Sequence, residues 1–213
     1  MTEQQYFDLV HIAERLKDNT RHCVTSQGRA ESVAEHSWRL AFMAMLLDGT
    51  VEGVDLGRVL EMCILHDLGE AMTGDIPSFW KTEADEQTEQ AGIFGLVDTL
   101  PEPLQSHWRA LFLEMQALES REAKLYKALD KLEAVIQHNE SPLESWLPLD
   151  KELNLVYGAE EAAQSEPFVQ KLRAKAAEDT REKLKGQLKE PVKEQERGIC
   201  DDTKAVKNTY ETF

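Results

Sequence analysis

The stretch EMCILHDLGEAMTGDIP, Glu61 to Pro77, decides the fold, because it sets His66 and Asp67 side by side at the end of an apolar stripe. Reading back from that pair, Leu56, Val59, Leu60, Cys63 and Ile64 recur at i, i+3, i+4, i+7 and i+8, which predicts an amphipathic helix with this face turned inward. The next place on the stripe is Asp67. A carboxylate aimed into a core is costly unless it is paired, hydrogen-bonded or bound to a metal. A helix end explains part of the pattern: Gly69 suits the C′ position, and His66 suits the negative end of the helix dipole. That leaves Asp67 without a partner, so a metal ligand and a helix end both stand as readings of these residues.

The 213 residues suffice for one domain with a real core, and no boundary is legible in the first 160. Forty acidic residues against 24 basic ones give a net charge of −16. Such a surface disfavours nucleic-acid polymers and anionic membranes, whereas a small anionic substrate can still enter through a local basic patch. Cys23, Cys63 and Cys200 are isolated, with no CxxC pair and no secretory signal. They point to a reducing, cytoplasmic setting and to neither a disulfide frame nor a zinc ribbon. No apolar run approaches the length of a membrane span.

Along the chain, Glu3 to Leu16 predicts a first helix with Tyr6, Leu9, Val10, Ala13 and Leu16 on one face. Asp18 to Glu31 is polar, contains Gly28 and reads as a loop carrying Arg21, His22 and Arg29. Ser32 and Glu35 form a capping box opening a second helix, whose stripe Val33, Leu40, Ala44 and Leu47 also includes His36. Gly49 to Gly53 turns the chain, and Asp55 caps the third helix. Thr73 to Pro77 is a turn, and Thr82 to Asp98 a fourth helix with Asp85 three residues after its cap. Pro101 or Pro103 starts a helix bearing Leu104, Trp108, Leu111, Met115 and Leu118. Arg121 to His138 is helical, with Leu125, Leu129, Leu132 and Ile136 inward. Pro167 to Lys189 gives a last helix, on the thin stripe Val169, Leu172, Ala176, Leu184 and Leu188; Glu190 to Phe213 is charged and expected to be mobile or loosely docked. Alternation never lasts long enough for a convincing strand. The expected fold is all-α: a helical domain over 1–165, then a C-terminal helix and charged tail over 166–213.

His36, His66 and Asp67 thus share inward-facing stripes, and Asp130 in ALDKLEAVI sits beside the core residue Leu129. Each has an ordinary explanation alone, such as a hydrogen-bonded core histidine, or Asp130 paired with Lys127 or Lys131. Two imidazoles and two carboxylates aimed at one core suit a divalent ion such as Mn²⁺, Co²⁺, Fe²⁺ or Zn²⁺ better than calcium, and the sequence does not choose among these and Mg²⁺. The other histidines, His11, His107 and His138, are scattered and suggest no second metal site.

The order His, then His-Asp, then a distant Asp resembles the HD superfamily of metal-dependent phosphohydrolases. AESVAEHSWRLAFMA, HDLGEAMTGDIP and ALDKLEAVIQ look like the matching segments of the bacterial HD-domain 5′-deoxynucleotidases, over roughly Tyr6 to Leu155. The resemblance implies an all-α metalloenzyme that removes phosphate from nucleoside 5′-monophosphates, commonly as a homodimer. It makes His36, His66, Asp67 and Asp130 the metal ligands and Glu70 the catalytic carboxylate. Asp75 matches an acidic active-site residue, and Arg21 an arginine on the substrate phosphate. One position departs: the family's best-known enzyme has tryptophan after that arginine and uses it to select deoxyribose, whereas this chain has His22, which points to a weaker sugar preference.

Physical chemistry agrees with the transfer. Water attack on a phosphomonoester dianion needs charge neutralisation and a stronger nucleophile, and a divalent ion supplies both by lowering the pKa of bound water from about 15.7 towards ~7. Glu70 follows His66 by four residues and can orient or deprotonate that water. Arg21 offers a planar bidentate donor to phosphate oxygens. The alternatives are an HD-type hydrolase of another small phosphorylated metabolite, or an inactive metal-stabilised helical interaction module. Alarmone hydrolases place Glu and Asp together after the HD pair, and here Glu70 is followed by Ala71. Cyclic-nucleotide phosphodiesterases typically bring further histidine ligands.

Overall fold

The structure is a computed structural model and describes residues 1–77 and 79–187. Its elements in order are α1 (Glu3–Glu14), β1 (Thr20–Val24), β2 (Ala30–Ser32), α2 (Val33–Met45), α3 (Leu56–Leu65), α4 (Glu70–Thr73), α5 (Glu83–Asp98), α6 (Leu104–Ala117), α7 (Arg121–Glu140), α8 (Pro148–Val156), α9 (Ala159–Ala163) and α10 (Pro167–Gln187). The fold is helical, as the periodicity predicts. The local start signals act where the sequence puts them. Ser32 and Glu35 close a capping box on α2, Thr82 and Asp85 another on α5, and the Asp55 side chain accepts from the Arg58 amide at the head of α3.

The centre of the molecule is α7, packed against α2, α3 and α10. Leu125, Leu129, Leu132 and Val135 of α7 are fully buried against Val33, Leu40 and Ala44 of α2 and Val59, Met62 and Cys63 of α3 within one apolar cluster. The α3 stripe is rotated from the expected one. Met62 is buried and Ile64 exposed, so Val59, Met62 and Cys63 lead through i+7 to His66. α1 is a surface helix: Leu9 and Ile12 pack inward, while Tyr6 and Val10 are exposed.

Two segments differ from expectation. The polar stretch Asp18 to Glu31, expected as a loop, forms an antiparallel hairpin pairing Thr20 with Ser32 and Val24 with Ala30, with a register irregularity between. Strands this short carry no alternation signal; the pairing is set by the turn, where Gly28 at φ +78° lets the Thr25 amide reach the Arg29 carbonyl at 2.7 Å. The other segment is α8 and α9, between α7 and α10. They bring Asn154 against the Thr180 hydroxyl (3.0 Å) and the Asn139 side chain (3.1 Å), while Arg173 binds the Tyr157 carbonyl at 2.8 Å. This buried polar network, with Val169 and Ala176, docks α10, which explains why its apolar stripe is thin. Leu188, Lys189 and the tail from Glu190, which includes Cys200, lie outside the described residues.

Candidate metal centre

Four side chains from α2, the end of α3 and α7 converge beside a cleft. His36 Nε2 lies 3.2 Å from Asp130 Oδ1 and 3.9 Å from Asp67 Oδ2. His66 Nε2 lies 3.0 Å from Asp67 Oδ2 and 3.7 Å from Asp130 Oδ1. One donor atom each from His36, His66 and Asp67 falls within a 4.8 Å group. Local backbone explains the placement of the HD pair. α3 stops at Leu65, and i→i+3 bonds from Leu68 to Leu65, Glu70 to Asp67 and Met72 to Gly69 carry the chain round a tight turn. Gly69 is right-handed here, not a left-handed C′ residue; it is glycine because a Cβ would lie 2.9 Å from Glu89 Cγ on α5.

Each imidazole is oriented from behind. His66 Nδ1–H donates to the Cys63 carbonyl at 3.0 Å, which leaves the Nε2 lone pair facing the carboxylates. His66 Nε2 is buried without a well-formed hydrogen bond, although Asp67 Oδ2 lies 3.0 Å away. His36 Nδ1 is gripped by Glu133, a fully buried carboxylate that also accepts from Arg39 Nε at 2.6 Å and Arg21 at 3.3 Å. Sequence reading missed Glu133, although its place three residues after Asp130, on the same helix face, was a usable signal. Asp130 Oδ2 accepts from Lys127 Nζ at 2.8 Å, which resolves its pairing in favour of Lys127 over Lys131.

The electrostatics of the cluster call for a cation. Burial and Arg21 both disfavour a charged His36, yet Glu133 and Asp130 outweigh them and raise its pKa to about 9. Burial works against ionised Asp67, but His66 and His36 hold it at about 2; Asp130 is held well below the usual range against burial, first by Lys127. With mixed nitrogen and oxygen donors, an orphaned buried imidazole nitrogen and negative charge that takes up a proton at His36, the residues fit a divalent transition ion.

The cleft has a volume of about 150 Å³, and its walls include Arg21, His22, His36, Asp67, Glu70, Asp75, Lys81, Lys127 and Asp130. Glu70 is buried with Oε2 unpartnered, and the Asn19 side chain, reaching from the hairpin, holds its carbonyl. Burial first, then Asp67 and Asp75, raise its carboxyl to about 10. Asp75 is raised by burial too. Arg21 contacts Glu31 and Glu133 through NH1. Every site residue expected from the sequence therefore lines one cleft or abuts it. The reading of His138 as an isolated histidine does not stand, since its ring lies 5.1 Å from that of His22 on another wall. His107 pairs with Glu61 at 2.9 Å, and His11 stacks on Phe7.

The family model of the HD domain matches residues 13–173, three quarters of the chain. The chain belongs to the HD-domain family. Phosphohydrolases of that family depend on a divalent metal, in keeping with the donors described above. A 5′-deoxynucleotidase (HDDC2) of Dictyostelium discoideum is 30% identical over 142 residues, covering 62% of this chain and 75% of that protein. The Homo sapiens protein of the same name is 31% identical over 114 residues, 53% of this chain and 55% of its own length. The chain thus spans between about half and three quarters of these relatives. The crystal structure of a predicted metal-dependent phosphohydrolase from Magnetospirillum magnetotacticum MS-1 superposes with TM-score 0.71 at 25% identity, covering 88% of this HD-domain chain and 95% of that one.

Proposed function

We propose that the protein is a metal-dependent phosphomonoesterase releasing phosphate from ribo- and deoxyribonucleoside 5′-monophosphates. The observation that carries this is one cleft joining a His₂Asp₂ donor cluster to a buried unpartnered carboxyl and three cationic side chains. His36, His66, Asp67 and Asp130 hold the ion. When bound, that ion supplies charge neutralisation for the phosphoryl group and acidifies water. The rest is done by the chain itself. Arg21, with NH1 fixed by Glu31 and Glu133, presents its remaining guanidinium edge to phosphate oxygens. Lys81, paired with Glu89, and Lys127, paired with Asp130, add positive charge to a cleft lined also by carboxylates, and with the bound ion they offset the charge of an entering dianion. Glu70 Oε2 is the atom that takes or returns the proton, and a cation beside it opposes the negative neighbours that raise its pKa. Asp75 closes the same wall.

His22 stands where a tryptophan would exclude a 2′-hydroxyl by shape, so the sugar preference is weak. The decisive experiment is a panel of matched ribo- and deoxyribonucleoside 5′-monophosphates with Mn²⁺, Co²⁺, Mg²⁺ and Zn²⁺. Comparable kcat/KM for both sugars is expected; no phosphate release from any nucleotide with any metal overturns the reading. The catalytic unit runs through residues 1–165, with α10 as an added brace. The location is cytoplasmic, and among the described residues no helix is long and apolar enough to cross a membrane. The assembly is a homodimer through α2, whose outer face exposes Trp38, Phe42 and Met45 at helical spacing with Trp38 stacked on Phe42. Trp38→Asp should halve the mass measured by light scattering, and a monomeric wild type would refute this assembly.

A further inference from the structure

On another wall of the cleft, the hairpin, the C-terminal end of α7 and the first turn of α8 bring together His22, His138 and Asp150. His22 Nε2 lies 3.5 Å from Asp150 Oδ1, and His138 Nε2 lies 3.9 Å from the same oxygen. One donor atom from each of the three lies within 4.8 Å of the others, as is also true of His36, His66 and Asp67. None of the three belongs to the first centre.

The three donors are presented as ligands are. His138 Nδ1–H donates to the Ala134 carbonyl at 3.0 Å. Its Nε2 therefore carries a lone pair, aimed at Asp150 and His22, which is the arrangement His66 shows at the first centre. Burial first, with His22 and Arg21 adding to it, lowers the His138 pKa against the Ala134 hydrogen bond and Asp150. Asp150 spends Oδ2 on the Leu147 amide at 2.7 Å, so the carboxylate is locked with Oδ1 turned to the two imidazoles. Edge contacts with Phe79 and Trp146 hold the rings of His22 and His138.

A long His22–Asp150 contact accounts for only part of this geometry and does not reach His138. A ring N–H to carboxylate bond wants about 2.7–3.0 Å, and here one separation is at the outer limit and the other beyond it. An ion held ~2.0–2.2 Å from each ligand in tetrahedral geometry separates its donors by roughly 3.3–3.6 Å. The His22–Asp150 separation falls in that range and the His138–Asp150 one lies about 0.3 Å beyond it, so a small inward shift of the His138 side completes the set.

We propose that His22, His138 and Asp150 form a second divalent-cation site facing the cleft. Two imidazole nitrogens and one carboxylate select Zn²⁺ or Co²⁺ over Mg²⁺ and Ca²⁺, which prefer all-oxygen shells. Three protein ligands leave a fourth position, and the partly exposed His22 side places it towards the cleft, open to water or an anion. The argument for the site does not rest on the reaction proposed above, although His22 also faces the sugar position of that cleft.

The test is a titration of metal-free full-length protein with Co²⁺ alone at buffered micromolar free metal, read by visible absorption and by metal content after desalting. Wild type should take two equivalents, and His22→Ala and Asp67→Ala one each, with different ligand-field spectra. The double variant should take none, and excess Mg²⁺ should not displace the equivalent lost in His22→Ala. Because Asp67→Ala can compromise folding, His22→Ala at a half-exposed position carries the test by itself. A wild-type stoichiometry of one, or a stoichiometry unchanged by His22→Ala, overturns the second site and leaves the first centre and its proposed reaction untouched. Two sites without phosphatase activity would instead remove the proposed reaction and leave this site standing.

Discussion

Glu70 and Glu133 are buried carboxylates with opposite circumstances, and the difference predicts how each substitution behaves. Glu133 faces His36, Arg21 and Arg39, which hold its pKa at about 2 against burial. Glu70 faces other carboxylates and has an oxygen with no partner. Glu70→Gln should keep the fold and the bound metal while kcat falls about 10²–10⁴-fold, the usual contribution of a general acid–base group. An unchanged kcat in steady-state assays would show that the proton moves elsewhere. Glu133→Gln keeps the shape but removes the charge that steers His36, so metal affinity should drop ~10–100-fold by competition with a chromophoric chelator. Wild-type affinity in that variant would reduce Glu133 to a neutraliser of Arg21 and Arg39.

Among the elements, the hairpin and the start of α2 matter most, since they aim Arg21, His22 and His36 together. The Ser32–Glu35 box sits at that junction, and Arg29 clamps Glu35 from the strand side at 2.7 Å. Hydrogen bonds from Arg29, then Ser32, depress the Glu35 pKa from 4.5 to about 2. A depressed folded-state pKa means the contribution is complete above the unfolded value and is lost as pH falls through the folded one. The extra acid lability of wild type over Glu35→Gln should therefore appear between about pH 4.5 and 2, seen as converging urea midpoints. Parallel curves through that range would rule the box out as an acid-sensitive cap. At the α8–α9 corner, Gly158 has φ +73° and a Cβ there would lie 2.6 Å from Lys131 Cβ. Gly158→Ala should cost about 1–3 kcal/mol in chemical denaturation, because strain and overlap act together.

At the scale of the whole molecule, metal binding and folding are one equilibrium, since the ligands come from α2, the end of α3 and α7. At free metal about 100-fold above Kd the linkage is roughly 2.7 kcal/mol, which for a chain of this size is a Tm shift of ~5–10 °C. Chelation should lower Tm by that amount more in wild type than in Asp67→Ala, which lacks the first centre; an equal shift in both would mean the ion acts elsewhere. The sequence alone determined the longer helices and their start caps, and it singled out His36, His66, Asp67 and Asp130 as candidate ligands, because helical periodicity and capping act over three or four residues and are written locally. It also placed the His66–Asp67 pair at the end of an inward stripe, although the stripe shifted from Ile64 to Met62, and so from Asp67 to His66, once α3 met its neighbours. The tertiary structure decided the remainder. The hairpin depends on a turn and on pairing rather than on alternation. The grip of Glu133 on His36 spans 97 residues of chain. The meeting of His22, His138 and Asp150 needs the hairpin, α7 and α8 already in place. Contacts of this kind leave no period in the chain, because they are fixed by how elements pack and not by what any one of them repeats.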